Sequence, residues 1–160
     1  MWRATGGTAY QLDDVPENNV TFLTLPVAIT CPPPPAPTNL QAGDGASSDY
    51  VSVTWEVTPG PAGIASVNIL RRPKNGAIFA PIYLGWGGTT FNDTSAAPGQ
   101  EYEYQIRVTN LCGTTSAFSD SDYGFRRLAR PTGVSATDGE HRDRVRIVWE
   151  SVSGAGSYAL

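Results

Sequence analysis

Few residues of this chain have the types and spacing that chemistry needs. His141 is the single histidine. It sits in the polar run Glu-His-Arg-Asp, with no Gly-x-Ser-x-Gly or cysteine partner to make it the base of a nucleophilic site, so a charged hairpin tip is its expected role. The two cysteines, Cys31 and Cys112, are too few for a disulfide scaffold or a zinc site, and one bridge is the most they can make. Asp13 and Asp14, and the Ser-Asp-Ser-Asp run at 119 to 122, offer oxygen atoms to calcium but lack the ordered spacing of a dedicated loop. Solvated turns are expected there, and no metal site. Asn19, in Asn-Val-Thr, and Asn92, in Asn-Asp-Thr, open the acceptor triplet for N-glycosylation, a pattern that also arises by chance.

Trp86, in Leu-Gly-Trp-Gly-Gly, rides on a glycine-rich turn. An exposed ring there would give a platform for sugar stacking or a partner's contact, and the plainer alternative is a ring folded over its own sheet edge. Trp2 poses the same choice. The run Gly-Trp-Gly-Gly precedes no helix start, so it is not a phosphate loop. No catalytic set and no cofactor site emerges, and the expectation is a protein that is not an enzyme.

Behind these residues lies a repeat. The stretch PTNLQAGDGASSDYVSVTWE from Pro37 to Glu56 returns after about 94 positions as PTGVSATDGEHRDRVRIVWE from Pro131 to Glu150. Leu40 aligns with Val134, Val51 with Val145, Val53 with Ile147 and Trp55 with Trp149. A period of that length is the size of a small sandwich domain, so 160 residues hold one complete copy and parts of others.

The 17 glycines, 13 prolines and single methionine, with many Ser and Thr, favour short strands joined by turns. Eleven basic against fifteen acidic residues leave a net charge of −4 with no basic stripe, which argues against a nucleic-acid partner. No apolar run reaches the roughly 18 residues needed to span a bilayer. Residues 1 to 30 lack a signal peptide's charged-then-apolar order, so an exported protein would be represented here by a mature form or an internal slice.

The central unit reads as seven strands. Strand A lies near Thr38 to Ala42, and the run YVSVTWEV is strand B, with Val51, Val53 and Trp55 on one face at period two. Strand C spans about Ala65 to Arg72. A short apolar strand follows from Ile78 to Leu84, then another at Thr89 to Phe91. After the Ala-Ala-Pro-Gly-Gln corner, Tyr102, Tyr104, Ile106 and Val108 alternate with Glu101, Glu103, Gln105, Arg107 and Thr109, giving strand F one buried and one wet face. Tyr123 to Leu128 would be the last strand.

These residues resemble the fibronectin type III domains. The resemblance rests on the Pro-x-x-Leu opening at Pro37 and Leu40, on the strand-B tryptophan Trp55, and on the run from Pro98 to Asn110 followed by Gly113. It covers residues 37–129 and again 131–160. It implies tandem, immunoglobulin-like all-β sandwiches: a C-terminal part of one over 1–31, a proline-rich linker over 32–36, a complete domain over 37–129, and the N-terminal strands of another over 130–160. Trp55 and Trp149 would then be core markers, as would Tyr104, and Tyr102 would be the tyrosine corner whose hydroxyl ties back to upstream backbone.

In that topology the start of strand A and the F–G loop share a pole, where Cys31 and Cys112 either bridge or remain two buried thiols. A bridge spanning about 80 residues would contribute about 4 kcal/mol through the unfolded chain's entropy and imply an oxidising compartment. The prolines 32 to 35 favour a stiff polyproline II spacer. No basic residue flanks them to suit an SH3-like partner.

Residues 1 to 30 look like the remainder that 131–160 lacks. Setting Ser-Tyr-Ala-Leu before Met-Trp-Arg-Ala reproduces the strand-C pattern, Thr8 to Asp13 resembles Thr89 to Thr94, and Val20 and Phe22 would face the core of a strand F. Two readings follow: a slice of a longer multidomain protein, or a subunit completed head to tail by the next copy in a fibre.

The function these observations imply is an extracellular or cell-surface structural and adhesive module, a segment or subunit of a surface fibre. Its partners would be other copies of itself or neighbouring domains, with a polysaccharide or a surface protein as further partners. The alternative is an accessory spacer or binding module of a secreted carbohydrate-active enzyme. A receptor ectodomain binding through loops near Pro59 to Gly63 and Leu111 to Thr115 is a third reading compatible with the fold.

Overall fold

The computed structural model describes residues 31–85 and 87–159, and within 1–30 only the backbone of three strands. Asn19, Trp86 and the expected core positions Val20 and Phe22 lie outside the described residues. The chain divides into two compact units, Met1–Cys31 and Pro32–Leu160.

In the first unit β1 (Trp2–Ala4), β2 (Ala9–Leu12) and β3 (Leu23–Thr24) form an antiparallel sheet in the order β1-β2-β3, with Arg3 opposite Gln11 and Tyr10 opposite Leu23. This differs from the strand matching drawn from the sequence. Thr8 to Asp13 resembles Thr89 to Thr94, a stretch that in the second unit joins the sheet opposite strand C, whereas β2 pairs directly with β1. So few residues separate β1 from β2 that they pair locally as a hairpin does.

The second unit contains β4 (Thr38–Ala42), β5 (Val51–Glu56), β6 (Ser66–Pro73), β7 (Ala80–Gly85), β8 (Thr90–Asp93), β9 (Tyr102–Thr109) and β10 (Asp122–Gly124). They form a three-stranded sheet, β4-β5-β8, and a four-stranded one, β10-β9-β6-β7. The strands are those the alternation predicts. In β5 the branched Val51 and Val53 and the ring of Trp55 are buried at every second position, and in β6 Val67 and Ile69 do the same.

The centre of the second sheet is the eight-residue register of β6 on β9, from Ser66 opposite Thr109 to Pro73 opposite Tyr102. Between the sheets, Val51, Val53, Trp55, Val67, Ile69, Tyr104, Ile106 and Val108 form the core. Each such aliphatic side chain contributes about 1.5–3 kcal/mol by leaving water.

Three details depart from the sequence pattern. Glu103, expected on the wet face, is only 6 % exposed: it does point away from the core, but the guanidinium of Arg72 lies 2.6 Å from its carboxylate and covers it. Ile78 precedes β7 and is exposed; Gly76 closes a turn onto the Pro73 carbonyl at 2.7 Å, and the next aromatic, Phe79, lies beneath Arg72 with 4.4 Å between guanidinium and ring centroid.

The last strand is also shorter than read. Pairing with β9 stops at Gly124, and Phe125 bridges instead to the other sheet, donating to the Gly43 carbonyl and accepting from the Gly45 N–H. Upstream of β10 the pairing with β9 is kept by two buried serines. The Ser116 and Ser119 N–H groups donate to the carbonyls of Val108 and Ile106, while their hydroxyls accept from the N–H groups of those same residues at 3.0 and 3.1 Å. Side-chain oxygens here do what a strand's carbonyls would do.

Beyond the sandwich, β11 (Ser135–Ala136) and β12 (Ile147–Val148) pair antiparallel, the positions of strands A and B in the repeat. Among the described residues there is no helix, and so none long and apolar enough to cross a membrane.

Candidate interaction surface

One charged group lies at the heart of the sandwich. Asp93, at the end of β8, is 1 % exposed. One carboxylate oxygen accepts from the Ser95 N–H at 2.9 Å and the Ser95 hydroxyl at 2.6 Å, the turn an Asp-x-Ser sequence favours. The other accepts from the Arg71 guanidinium and from the Tyr104 hydroxyl at 3.0 Å. Burial alone would push the Asp93 carboxyl up, but the hydrogen bonds from Ser95 and Arg71, the Arg71 charge and the Tyr104 hydroxyl together hold it below its ordinary value. Burial and the Asp93 charge push the Tyr104 phenol far upward. The network ties β8 of one sheet to β6 and β9 of the other, and every acceptor of the charge is filled, so it offers nothing to a substrate.

Of the aromatic markers, Tyr104 belongs to this network and Tyr102 touches its Arg71. Trp55 is 3 % exposed, and its indole N–H has no hydrogen-bond partner among the described residues. Tyr102 accepts the Ala97 N–H on its hydroxyl at 3.2 Å, five residues upstream, and the Arg71 guanidinium lies 4.2 Å from its ring centroid. Trp149 is half-buried, its ring 5.3 Å from that of Tyr158. Asn92 is exposed on β8, facing Ser52 across the ladder, and His141 is half-buried between exposed neighbours.

At one pole of the sandwich, Asn110 organises the loop after β9. It is 2 % exposed; its side-chain oxygen accepts the N–H groups of Cys112 and Thr114, and its amide donates to the Pro32 carbonyl at 3.0 Å. The first linker proline is thereby fixed to the loop that carries Cys112. Both Cys31 and Cys112 are disulfide-bonded. Near the Pro59 to Gly63 turn a shallow hollow of about 250 Å³ is lined by Val57, Pro59, Ile64, Val67 and the Gly87–Gly88 pair, an apolar surface with little hydrogen-bonding capacity.

A cluster of exposed apolar side chains lies on and beside the β11–β12 hairpin. Val134 and Val145 are each 65 % exposed, and Ile147 and Val148 are also exposed. The counterparts of Val134, Val145 and Ile147 in the repeat, Leu40, Val51 and Val53, pack in the sandwich core. These side chains lie open where their counterparts in the complete sandwich are covered. Among the described residues no group of three His, Cys, Asp or Glu side chains is placed to hold a metal ion.

Sequence reasoning singled out the tryptophans, tyrosines and cysteines and missed Arg71, Asp93, Asn110, Ser116 and Ser119. The Asp-x-Ser spacing at 93 to 95 was the one local signal for the buried carboxylate.

No family model matches the chain. Over 86 residues, 54 % of its length, it is 31 % identical to an amylopullulanase of Thermoanaerobacterium saccharolyticum, of which it spans 6 %. Among solved structures it is similar to an Fn3-like protein from Clostridium thermocellum, 26 % identical with a TM-score of 0.50, covering 61 % of this chain and 98 % of that one. The sixth fibronectin type III domain of human fibronectin type III domain containing protein 3 gives a TM-score of 0.51 at 16 % identity, covering 65 % of this chain and 96 % of that one, a likeness of fold.

Proposed function

We propose, since the β4–β10 sandwich is a fibronectin type III-like domain, that the chain acts as a non-catalytic connector and docking module within a larger secreted polysaccharide-processing protein. The similarity over 86 residues to a small part of an amylopullulanase carries this reading. The architecture agrees with it. The sandwich uses its most deeply buried charge, Asp93, to lock its own sheets, its hollow near Pro59 is apolar and open, and its linker proline is held by Asn110 as a spacer would need. Disulfide-bonded cysteines fit the oxidising compartment a secreted protein meets.

The test is the gene's full reading frame together with affinity electrophoresis of the purified chain in gels containing starch or pullulan. A glycan-cleaving catalytic domain in the same frame supports the connector reading, and retardation by either polymer adds a binding role. A frame with no such domain overturns it.

A second reading is favoured by one specific observation, the exposed apolar residues Val134, Val145 and Ile147. Strands with the pattern of β6 and β9 would cover them, supplied either by further residues of the same protein or by the next copy, head to tail, in a fibre. Negative-stain electron microscopy of the purified protein tests this: regular filaments support the fibre, and isolated particles at high concentration exclude it.

A further inference from the structure

The covalent topology of the sandwich separates its core from the line along which the chain is pulled. Cys31 and Cys112 are the only two cysteines of the chain, and both are disulfide-bonded. The loop between them contains β4 to β9, six of the seven strands, and every residue of the buried hydrophobic core from Ala42 to Val108. Only the segment after Cys112, with β10, lies outside it.

We propose that this disulfide is a tension bypass: a pull arriving from residues before Cys31 crosses to Cys112 and continues into β10, so the core bears no obligatory stretch. The inference goes beyond the connector reading and does not depend on which domains flank the chain.

The neck of the loop is built for this. The Asn110 amide and the Thr114 hydroxyl both donate to the Pro32 carbonyl, at 3.0 and 3.4 Å, next to Cys31. Four consecutive prolines then stiffen the departure toward β4.

On the far side, the segment after Cys112 is gripped along the whole sandwich. Ser116 and Ser119 bond to β9 through backbone and hydroxyl alike. The Asp122 carboxylate accepts the Ala42 N–H at 2.8 Å, and Phe125 bonds to Gly43 and Gly45. Because the segment runs antiparallel to β9, tension between Cys112 and the residues after β10 shears these bonds together and does not unzip them singly.

The bypass is switchable. A dithiol reductant supplies two electrons and two protons, the sulfur–sulfur bond becomes two thiols, and the dithiol closes to its own cyclic disulfide. Tension then enters at β4, and the whole sandwich becomes extensible.

The test is single-molecule stretching of the full chain, held by its two ends, before and after treatment with dithiothreitol and alkylation. The oxidised chain is expected to reach full extension about 280 Å short of the reduced one, from about 80 residues at ~3.5 Å each. Its steps from this domain should not exceed about 60 Å, the length of the segment after Cys112 up to the end of the domain. Reduced molecules should release a step of roughly 300 Å. Equal full extensions, or a step of the long size from oxidised molecules, would overturn the proposal.

The double variant Cys31→Ser, Cys112→Ser is expected to give the reduced trace with no reductant. If it fails to fold, judged by far-ultraviolet circular dichroism, reducing a molecule already tethered and folded provides the same comparison.

Discussion

The hydroxyl of Tyr104, wholly buried in β9, donates at 3.0 Å to the carboxylate of Asp93 at the end of β8, joining the two sheets through the middle of the sandwich. Arg71 completes the pair from β6. Because the folded Asp93 titrates below its ordinary value of 3.8, the network stabilises the fold fully above that pH and loses its contribution as the pH falls through the lower folded value. Asp93→Asn should cost about 3–5 kcal/mol at pH 7, where it strands the Arg71 charge. The variant should also flatten the loss of stability below pH 4. Urea denaturation at several pH values between 2 and 7 reads both effects, and an unchanged acid limb would contradict the assignment.

Tyr102 presents a smaller cost. Tyr102→Phe keeps the ring under Arg71 and removes only the oxygen that accepts the Ala97 N–H at 3.2 Å. A loss of about 1 kcal/mol is expected, lowering the melting temperature by roughly 4–8 °C. Thermal melts followed by circular dichroism suffice.

Ser119→Ala deletes the acceptor for the Ile106 N–H while leaving the Ser119 N–H on the Ile106 carbonyl. A buried donor left without a partner costs about 1–3 kcal/mol. Native-state hydrogen exchange should show faster exchange at Ile106 with little change at Ile69.

Two glycines in the left-handed region separate backbone strain from crowding. Gly45 has φ of 71°, and a Cβ there would lie 2.7 Å from the Phe125 ring; Gly139 has the same φ with open space around it. Gly139→Ala should cost only the backbone term, about 1–2 kcal/mol. Gly45→Ala should cost more, because Phe125 must also leave its place between β10 and β4. Equal losses in chemical denaturation would mean that the ring moves freely.

The strands were legible because alternation is a local signal. Val51, Val53 and Trp55, and Tyr104, Ile106 and Val108, announce their buried faces within eight residues of sequence. The polar interior was not legible. Arg71, Asp93 and Tyr104 stand 22 and 11 positions apart, and nothing near any one of them names the others. Ser116 and Ser119 read as loop because their pairing with β9 uses hydroxyls, which leave no apolar alternation. Glu103 read as solvated because alternation reports which face a side chain takes and cannot see that Arg72 will cover it.

The meeting of β10 with β4 has one more consequence. That flank of the sandwich is stitched shut by Phe125 and by the close approach of Gly124 to Ala42, so foreign strands can add only at the opposite flank, to β7 or β8. There β7 carries Pro81, which has no N–H to offer a newcomer. Copies of such a domain strung in series, each bathed in a very high local concentration of its twins, thereby have fewer open edges at which to exchange strands with one another.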